Sequence, residues 1–162
     1  MSFCLILLAA GNSNRFKSNI AKPYHEIGGK TLAEISIKKA SFFPQIKKII
    51  FVYNKKHKKN LKQINHKNLK FVQGGNTRQE STFKALKYLV KQKGFSKVLI
   101  HDAARPNFSK NLLGSIIKNM KNSRAVVPIM KINDALKQKN QKYIIGKNRN
   151  DFFITQTPQS FN

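Results

Sequence analysis

Glycine, small polar residues and two cations follow the first apolar stretch of the sequence. The segment reads Ala9-Ala10-Gly11-Asn12-Ser13-Asn14-Arg15, and Lys22 comes shortly after it. Glycine and small residues let backbone N–H groups turn toward a polyphosphate, which the two basic side chains could neutralise. The segment contains neither a Walker phosphate loop nor the three-glycine dinucleotide fingerprint. It therefore predicts either a polyphosphate site or an ordinary turn that carries two surface cations.

A second glycine-containing segment precedes a predicted helix in the middle of the chain. It reads Gly74-Gly75-Asn76-Thr77-Arg78-Gln79-Glu80-Ser81. A glycine pair that leaves a strand permits positive φ and the close approach of a flat ligand. Ser81 is expected near the start of the helix, where its hydroxyl could cap the helix or reach the edge of a base. The alternative is a capped helix start without a ligand.

A third segment, His101-Asp102-Ala103-Ala104-Arg105-Pro106, combines a carboxylate with a guanidinium group. Asp102 is one of only six acidic residues in a chain with 32 lysines and arginines. At the end of a strand, a carboxylate beside Arg105 could hold a metal–phosphate group or a substrate hydroxyl. A structural salt bridge between Asp102 and Arg105 is the alternative. We expect His101 to be a buried histidine with satisfied hydrogen bonds rather than a base.

The fourth group of polar residues lies in the last third of the chain. It comprises Asn133-Asp134, then Arg149, and finally Gln156-Thr157-Pro158-Gln159. Asp134 could orient a cation, whereas Arg149 and Thr157 could hold a phosphate. Each of these residues is ordinary by itself, so the group gains meaning only if the fold brings its members together.

Short apolar runs alternate with segments of helical periodicity, and this alternation must position the four groups. The runs expected to be buried strands are Phe3 to Ala9, Ile49 to Val52, Val98 to Ile100 and Ala125 to Ile129. The helical stripes are Leu32 to Ala40, Phe83 to Val90 and Leu112 to Ile117. The alternation predicts an α/β fold with a mainly parallel sheet and helices on both faces. In such a sheet ligands bind at the carboxyl ends of the strands, where the four groups fall.

Residues 131–150 break the alternation. Two extended segments, Lys131 to Lys137 and Tyr143 to Ile145, flank the polar stretch Gln138 to Lys142. This pattern predicts a hairpin that projects as a β-arm, although an ordinary surface hairpin fits the composition equally well. The pair Gly28-Gly29 predicts a tight turn before the first helix. We expect a single domain over residues 1–162, with the arm at about 131–150.

The charge balance raises a separate possibility. The 162 residues carry a formal net charge of +26, and a basic excess of this size is typical of proteins that bind nucleic acid. The lysines are spread along the chain, however, and no zinc-finger spacing or aromatic RNA-binding motif accompanies them. Four of the five arginines lie in the groups described above, and arginine grips phosphate at two points as lysine cannot. Nucleic acid is therefore the less favoured partner.

Cysteine content and hydropathy limit the compartment. Cys4 is the single cysteine, which excludes an internal disulfide framework and a multi-cysteine zinc site and fits a reducing compartment. No apolar run approaches the ~20 residues of a membrane-spanning helix. The first run is short for a signal peptide and lacks a preceding basic residue, so a buried strand is the better interpretation. These features predict a cytoplasmic protein without a membrane partner.

Considered as a set, the motifs resemble one enzyme family. AAGxxxR, a downstream lysine, GGxxRQxS, HDAARP, the arm aspartate, and RN followed by QTPQ have the order and spacing of the 2-C-methyl-D-erythritol 4-phosphate cytidylyltransferase family. The resemblance extends from Phe3 to Phe161, and HDAARP and GGNTRQES are its most specific parts. It implies a Rossmann-like nucleotidyltransferase fold and transfer of a cytidylyl group from CTP to that polyol phosphate, with release of diphosphate. It also implies Mg²⁺ as the cofactor and a homodimer formed through the arm.

The resemblance assigns a role to each motif residue. Arg15 and Lys22 would be catalytic and would neutralise the triphosphate and the transition state. The nucleotide would contact Ala10, Gly11, Gly75, Asn76, Ser81, Asp102 and Ala103, with Asp102 also near the metal. The polyol phosphate would contact Arg105, Asp134, Arg149 and Thr157, with Arg149 serving a neighbour's site. The attacking phosphate oxygen already carries charge, so the reaction needs positioning and electrostatic stabilisation rather than a strong base.

The sequence departs from the family pattern at three places. The family's Pro-Lys-Gln-Tyr is Ala21-Lys22-Pro23-Tyr24 here, and its Asp-Thr pair is Asp134-Ala135. The chain also ends soon after QTPQ, where family members continue through an acidic segment and a lysine-bearing strand. We therefore expect a C-terminally incomplete domain, or part of a longer and bifunctional polypeptide. Ribitol-5-phosphate cytidylyltransferase is the alternative within the class, and an inactive nucleotide-binding remnant is another.

Overall fold

The fold centres on a six-stranded sheet. The structure is a computed structural model, and it describes residues 1–11, 18 and 20–162. The strands in these residues are, in chain order, β1 (Phe3–Ala9), β2 (Glu26–Ile27), β3 (Lys30–Thr31), β4 (Ile46–Tyr53), β5 (Leu69–Gln73), β6 (Lys97–Asp102), β7 (Ala125–Val126), β8 (Ile129–Lys131), β9 (Leu136–Lys139), β10 (Ile144–Lys147), β11 (Phe153–Thr155) and β12 (Gln159–Phe161). The α-helices are α1 (Leu32–Ala40), α2 (Arg78–Val90) and α3 (Lys110–Asn119), and short 3₁₀ helices cover Lys22–Tyr24, Lys55–Gln63 and Arg149–Asp151.

The sheet is mainly parallel, as predicted. Its strand order is β5-β4-β1-β6-β12-β7, in which β5, β4, β1 and β6 run parallel. The short strand β12 is antiparallel to both of its neighbours, β6 and β7. Strand β1 lies between β4 and β6 and is almost entirely buried, which explains its unbroken apolar sequence. The parallel strands end at one edge of the sheet, and the candidate site lies at that edge.

Helices cover both faces of the sheet. Successive residues of β1 point to opposite faces, so Leu5 belongs to one apolar cluster and Ile6 to the other. Helix α1 through Ile37 and helix α3 through Leu113 pack into the cluster of Leu5, whereas α2 packs through Ala85 into the cluster of Ile6. Burial of apolar surface, at about 25 cal/mol per Å², is the main force that holds these layers together.

Helix α2 faces the sheet with different residues from those predicted. The expected apolar stripe included Phe83 and Val90, but these side chains are 63% and 85% exposed. The helix instead buries Ser81, Ala85 and Leu89, which recur every four residues on one side. Small side chains at positions 81 and 85 allow the helix to approach the strands closely, and this packing leaves Phe83 outside.

Helices α1 and α2 begin at threonine caps. Thr31 Oγ1 accepts from the Glu34 N–H at 3.2 Å, and the Glu34 carboxylate accepts from the Thr31 N–H at 2.8 Å, which completes a capping box. Thr77 caps α2 by accepting from the Glu80 N–H at 3.0 Å. Ser81 is therefore not the cap of α2, and its hydroxyl serves another contact described below.

The predicted hairpin forms the arm. Strands β9 and β10 pair antiparallel, with Leu136 opposite Lys147. Strand β8, which precedes this hairpin in the sequence, pairs antiparallel with β11, which follows it. The run predicted from Ala125 to Ile129 is two strands, because Pro128 lies between β7 and β8 and lacks an N–H donor. Asp134 lies in a bend between β8 and β9 and not within a strand.

The structure also answers two smaller expectations. The turn predicted at Gly28-Gly29 joins β2 to β3, and both glycines have positive φ, of 57° and 71°. Among the residues that the structure describes, no helix combines the length and the hydropathy that crossing a bilayer requires.

Candidate active site

A cleft of about 320 Å³ opens at the carboxyl-terminal edge of the sheet. Its walls come from the residues that follow β1 and β6, from the first 3₁₀ helix, and from the loop that precedes α2. The residues singled out in the sequence that line it are Ala10, Gly11, Lys22, Gly75, Asn76, Ser81, Asp102 and Arg105. The fold thus gathers the first three sequence groups around one cavity, where the parallel-sheet argument places a ligand.

Hydrogen bonds hold the ends of β1 and β6 side by side. Leu8 lies opposite Asp102 in the parallel register, and the Ala103 N–H donates to the Leu8 carbonyl at 3.0 Å. Ala103 is fully buried, and its carbonyl accepts from Ser36 Oγ of α1 at 3.1 Å. Ala103 is not among the described residues that line the cleft, so its contact with a nucleotide stays a prediction.

Lys22 reaches the cleft from a short 3₁₀ helix with buried residues on both sides. Ala21 and Tyr24 are almost fully buried, and the Tyr24 N–H donates to the Ala21 carbonyl at 2.9 Å. The Tyr24 ring packs against Phe51 of β4, with the ring centroids 6.3 Å apart. Lys22 is exposed at the cleft wall between these anchors. Arg15, the other cation predicted to be catalytic, lies outside the described residues.

Asp102 lies between two guanidinium groups. Its Oδ2 is 3.1 Å from Arg105 Nε, and its Oδ1 is 3.4 Å from Arg78 Nη2. The Arg105 N–H also donates to the Asp102 carbonyl at 3.0 Å, so a tight turn presents both side chains at the end of the strand. The salt bridge considered as an alternative is therefore present. Both arginine side chains are more than half exposed, so water weakens the two pairs and each guanidinium keeps donors for an anion.

The loop before α2 is held by the first turns of that helix. The Gly75 N–H donates to Ser81 Oγ at 3.0 Å, and the Asn76 N–H donates to Glu80 Oε2 at 2.8 Å. The hydrogen bond from Asn76 lowers the pKa of the Glu80 carboxyl, which keeps this acceptor ionised. Ser81 Oγ also lies 3.4 Å from the Gly75 carbonyl oxygen, and the Gly74 carbonyl accepts from Lys84 Nζ at 3.1 Å. Because both loop N–H groups are engaged and a carbonyl oxygen has two lone pairs, a base in the cleft would meet acceptor groups on this loop.

Gly74 lets two loops of the site approach each other. A Cβ at this position would overlap the Ala10 side chain and would lie 2.8 Å from Ser81 Oγ and 3.2 Å from Val52. Neither Gly74 nor Gly75 adopts the positive φ that a glycine pair permits. Contact with Ala10 is therefore the reason for glycine at position 74.

Among the described residues that line the cleft, none comes from the fourth sequence group. Asp134 and Arg149 are exposed in the arm, where Arg149 Nη1 donates to the Asn133 carbonyl. Arg149 and Asn133 line a separate cavity of about 480 Å³ in the arm. Thr157 instead contacts His101, with Oγ1 and Nδ1 2.8 Å apart. The predicted contacts of Asp134, Arg149 and Thr157 with a polyol phosphate stay predictions.

His101 is a buried histidine with a hydrogen-bond partner at each ring nitrogen, as expected. Besides the contact with Thr157, its Nε2 lies 2.9 Å from the Arg105 carbonyl oxygen. The ring also packs edge-on against Phe108, with the centroids 4.7 Å apart. Burial lowers the pKa of His101 to about 4, so the ring is neutral near pH 7.

Asp102 offers a carboxylate for a divalent cation. Among the described residues that line the cleft, Asp102 is the one with an acidic side chain. The described part of the chain contains no cluster of three or more histidine, cysteine, aspartate or glutamate side chains that could hold a metal ion. Mg²⁺ keeps much of its hydration shell and commonly binds through one or two carboxylates together with substrate phosphates. A single carboxylate beside cationic side chains therefore fits a magnesium ion that arrives with a triphosphate.

A match to a family model decides the relationship of this chain to known proteins. The model of IspD, 2-C-methyl-D-erythritol 4-phosphate cytidylyltransferase, matches residues 3–162. The chain belongs to the IspD family. The resemblance found in the sequence motifs is thereby confirmed.

Individual IspD-family proteins show the same relationship. A bifunctional IspD/IspF enzyme of Pelagibacter ubique is 44% identical over 162 residues, which make up 100% of this chain and 43% of the relative. The 2-C-methyl-D-erythritol 4-phosphate cytidylyltransferase of Clostridium tetani is 36% identical over 98% of this chain and 66% of the relative. The structure of the bifunctional IspDF from Campylobacter jejuni matches with a TM-score of 0.84 and 32% identity, over 99% of this chain and 41% of that one. The chain spans about two fifths of the length of these bifunctional relatives.

Arg78 lines the cleft, although its sequence motif predicted no role for it. Its side chain lines the cavity and contacts Asp102. The scarcity of arginine could have identified it, because Arg78 is one of five arginines among the 32 lysines and arginines of this IspD-family chain. The contact itself could not be read from the sequence, since it joins the start of α2 to the end of β6 across the edge of the sheet.

Proposed function

We propose that this chain, in the cytoplasm, transfers the cytidylyl group of CTP to 2-C-methyl-D-erythritol 4-phosphate and releases diphosphate. The observation that carries the proposal is the cleft that gathers Lys22, Asp102, Arg105 and the loop before α2 at one edge of the sheet. Cations beside a glycine-containing loop suit a nucleoside triphosphate. Membership of the IspD family and the name of the Clostridium tetani relative support the same activity.

The proposed reaction exchanges one phosphorus–oxygen bond for another. An oxygen of the acceptor's phosphate bonds to the α-phosphorus of CTP, while the bond from that phosphorus to the oxygen of the diphosphate breaks. The attacking oxygen already carries negative charge, so no protein base has to remove a proton. The side chains therefore contribute by positioning and electrostatic stabilisation. Lys22 would neutralise charge on the oxygens around the α-phosphorus, and Arg105 would orient the acceptor.

The loop before α2 would distinguish cytosine through acceptor groups. The Gly75 and Asn76 N–H groups are bonded within the protein. The Gly74 carbonyl accepts from Lys84 Nζ at 3.1 Å and the Gly75 carbonyl from Ser81 Oγ at 3.4 Å, and each of these oxygens keeps a second lone pair for a ligand. The exocyclic amino group of cytosine is a donor, whereas a pyrimidine with a keto group at the same position presents an acceptor. Carbonyl oxygens on the loop would therefore favour CTP over UTP.

Mg²⁺ is part of the proposal, and Asp102 is the residue that would hold it together with the phosphates of CTP. When bound, the ion would neutralise charge on the phosphate oxygens. The contact between Asp102 Oδ1 and Arg78 is long, at 3.4 Å, and partly exposed, so replacing it with a contact to the ion costs little. The released Arg78 guanidinium could then contact a phosphate oxygen.

A homodimer formed through the arm belongs to the same proposal. Apolar side chains around the arm are each at least 48% exposed, namely Ile129, Met130, Tyr143, Ile144, Phe153 and Ile154. A second copy of the chain would cover such a surface and could bring Arg149 to a neighbouring cleft. Light scattering coupled to size-exclusion chromatography tests this part. A monomer across the concentration range of the activity assay would contradict it.

Diphosphate release separates the proposed activity from its alternatives. The assay supplies CTP and Mg²⁺ with either 2-C-methyl-D-erythritol 4-phosphate or ribitol 5-phosphate. We expect release with the first acceptor, and a preference for the second would reassign the substrate. A protein that releases no diphosphate and shows no thermal shift with CTP, yet binds DNA with steep salt dependence, would be a nucleic-acid-binding protein instead.

A further inference from the structure

Gly75 and Asn76 border two cavities. They line the cleft, and they also line a cavity of about 520 Å³ whose other walls include Asn54, which follows β4, and Gln73 of β5. A backbone segment with open space on two sides gains less support from packing than a segment in the interior, where neighbouring atoms touch it all round. The position of Gly75 and Asn76 therefore depends largely on hydrogen bonds.

Glu80, in the first turn of α2, holds this segment at Asn76. Its Oε2 accepts from the Asn76 N–H at 2.8 Å. A Cβ at Gly75 would overlap the Glu80 side chain, so the carboxylate group lies directly against the backbone of the loop. The hydrogen bonds from the Asn76 N–H and from Lys84 lower the pKa of the Glu80 carboxyl, which is therefore ionised near neutral pH. Hydrogen bonds to an ionised acceptor are roughly twice as strong as those between neutral groups.

Lys84, one turn further along α2, holds the other end of the same loop. Its Nζ donates to the Gly74 carbonyl oxygen at 3.1 Å and lies 3.2 Å from Glu80 Oε1. The ion pair by itself contributes little to stability, because both side chains are 41% exposed and water screens their charges. Its effect is geometric, since the two side chains orient each other while one binds a carbonyl of the loop and the other binds an N–H.

The bond to Glu80 also determines which kind of hydrogen-bonding group the loop can offer to a ligand. While Glu80 accepts from the Asn76 N–H and Ser81 accepts from the Gly75 N–H, both donors are occupied. Without the Glu80 carboxylate, the Asn76 N–H would be a free donor on a loop that lines the cleft. A free donor suits the keto oxygen of uracil rather than the amino group of cytosine. Glu80 therefore bears on the choice between the two bases.

We propose that Glu80 and Lys84 are positioning residues that hold residues 74–76 so that this loop presents acceptor groups to the base of the nucleotide. The identity of the nucleotide rests on the proposed function. Neither Glu80 nor Lys84 is among the described residues that line the cleft, so both act through the loop. Their effect is therefore expected on recognition of the base and not on that of the phosphates.

Two substitutions with opposite changes of charge separate this role from general electrostatics. Glu80→Met removes a negative charge and Lys84→Met a positive one, and methionine is a good helix former. Calorimetric titration with Mg²⁺ and without acceptor measures the Kd for CTP and for inorganic tripolyphosphate, which lacks the base. The ratio of the Kd for CTP to the Kd for tripolyphosphate should rise about three- to tenfold in both variants, the scale of one lost hydrogen bond. Equal shifts for both ligands, of opposite sign in the two variants, would be a general charge effect and would overturn the proposal.

Two further variants serve as control and as partial rescue. Lys87→Met makes the same change of charge at another exposed position of α2, and its ratio of the two Kd values should stay within about twofold of the wild-type ratio. Glu80→Gln keeps an acceptor oxygen without the charge, so it should raise the ratio less than Glu80→Met does. The preference for CTP over UTP should fall in Glu80→Met. An unchanged preference, or an equal rise of the ratio in Lys87→Met and Lys84→Met, would contradict the proposal.

Amide hydrogen exchange tests the position of the loop without a ligand. NMR follows exchange at the Asn76 N–H and, as a reference, at the Ala103 N–H, which donates to the Leu8 carbonyl. In Glu80→Met, exchange at Asn76 should be about three- to tenfold faster, the scale of one lost hydrogen bond, and exchange at Ala103 unchanged. An unchanged rate at Asn76 would overturn the positioning role even in an active enzyme. A wild-type protein that shows the expected exchange but neither binds CTP nor releases diphosphate would instead count against the proposed function and against a base as the ligand of the loop.

Discussion

Replacing Lys22 with methionine tests the electrostatic role of the cleft most directly. The substitution removes the ammonium group and keeps an unbranched side chain. Lys22 is exposed, while the residues that anchor its segment, Ala21 and Tyr24, are buried and unchanged. We therefore expect the variant to fold with a melting temperature close to that of the wild type. Any loss of activity then reports on the charge.

The expected loss of activity follows from the interaction of one charge with the phosphates. Two unit charges 4 Å apart interact by about 4 kcal/mol at an effective dielectric constant of ~20, a value suited to the protein surface. Lys22 is exposed, so water screens its interaction with the phosphates. Part of that interaction is also present already when the substrate is bound, and only the remainder stabilises the transition state relative to the ground state. Removal of one preorganised contact of this kind costs about 10²–10³ in kcat. We expect Lys22→Met to lose kcat by that factor.

The assay measures diphosphate release under saturating CTP and acceptor, so that kcat is read without a change in binding. Lys67→Met is a matched control, because Lys67 is also exposed but precedes β5 at the opposite edge of the sheet. The control should retain the wild-type kcat within about twofold, as expected for an isolated surface change. A Lys22→Met enzyme with half of the wild-type kcat would refute the proposed electrostatic role of this residue.

Three further predictions concern packing, capping and the buried thiol. Gly74→Ala places a methyl group against Ala10 and should cost about 1–3 kcal/mol in urea unfolding and raise the KM for CTP, whereas the control Gly146→Ala, which meets nothing within 4 Å, should be neutral. An unchanged stability in Gly74→Ala would mean that the two loops do not touch. Thr31→Ala removes the cap of α1 and should lower the free energy of unfolding by about 0.5–2 kcal/mol; a smaller loss would show that the cap is not formed. Burial raises the pKa of the Cys4 thiol to about 12, so a thiol reagent at pH 8 should label it only as fast as the protein unfolds; rapid labelling of the native protein would contradict the buried strand.

Local pattern was enough to locate most of the secondary structure around the site. Strand β1 coincides with its predicted run because a strand buried on both faces must be apolar throughout. Strand β5 was not predicted, since it is an edge strand with an exposed Lys70 and only partly buried neighbours. Strand β12 was not predicted either, because three residues after a proline carry no periodicity. Its place between β6 and β7 depends on pairing with distant residues.

The sequence likewise predicted only some features of the candidate site. The residues around the cleft were found because the carboxyl ends of parallel strands meet at one edge, so sequence position alone placed Asp102 and Gly75 near each other. The hydrogen bonds that these residues form could not be predicted from the positions of the strand ends. Of the two roles considered for Ser81, the helix cap belongs to Thr77, and the Ser81 hydroxyl accepts from the Gly75 N–H. Which hydroxyl group accepts from a given N–H depends on which one the folded chain brings within about 3 Å of it.

The sequence by itself determined the α/β class, the grouping of polar motifs at strand ends and the family, because hydrophobic periodicity and motif spacing are local properties of the chain. Only the tertiary structure decided that Arg78 and Arg105 share the Asp102 carboxylate, that α2 buries Ala85 and leaves Phe83 exposed, and that His101 contacts Thr157. Each of these contacts joins separate elements over a few ångströms. Hydrogen bonds and ion pairs are strong only at short range and in suitable geometry, which a linear sequence does not contain.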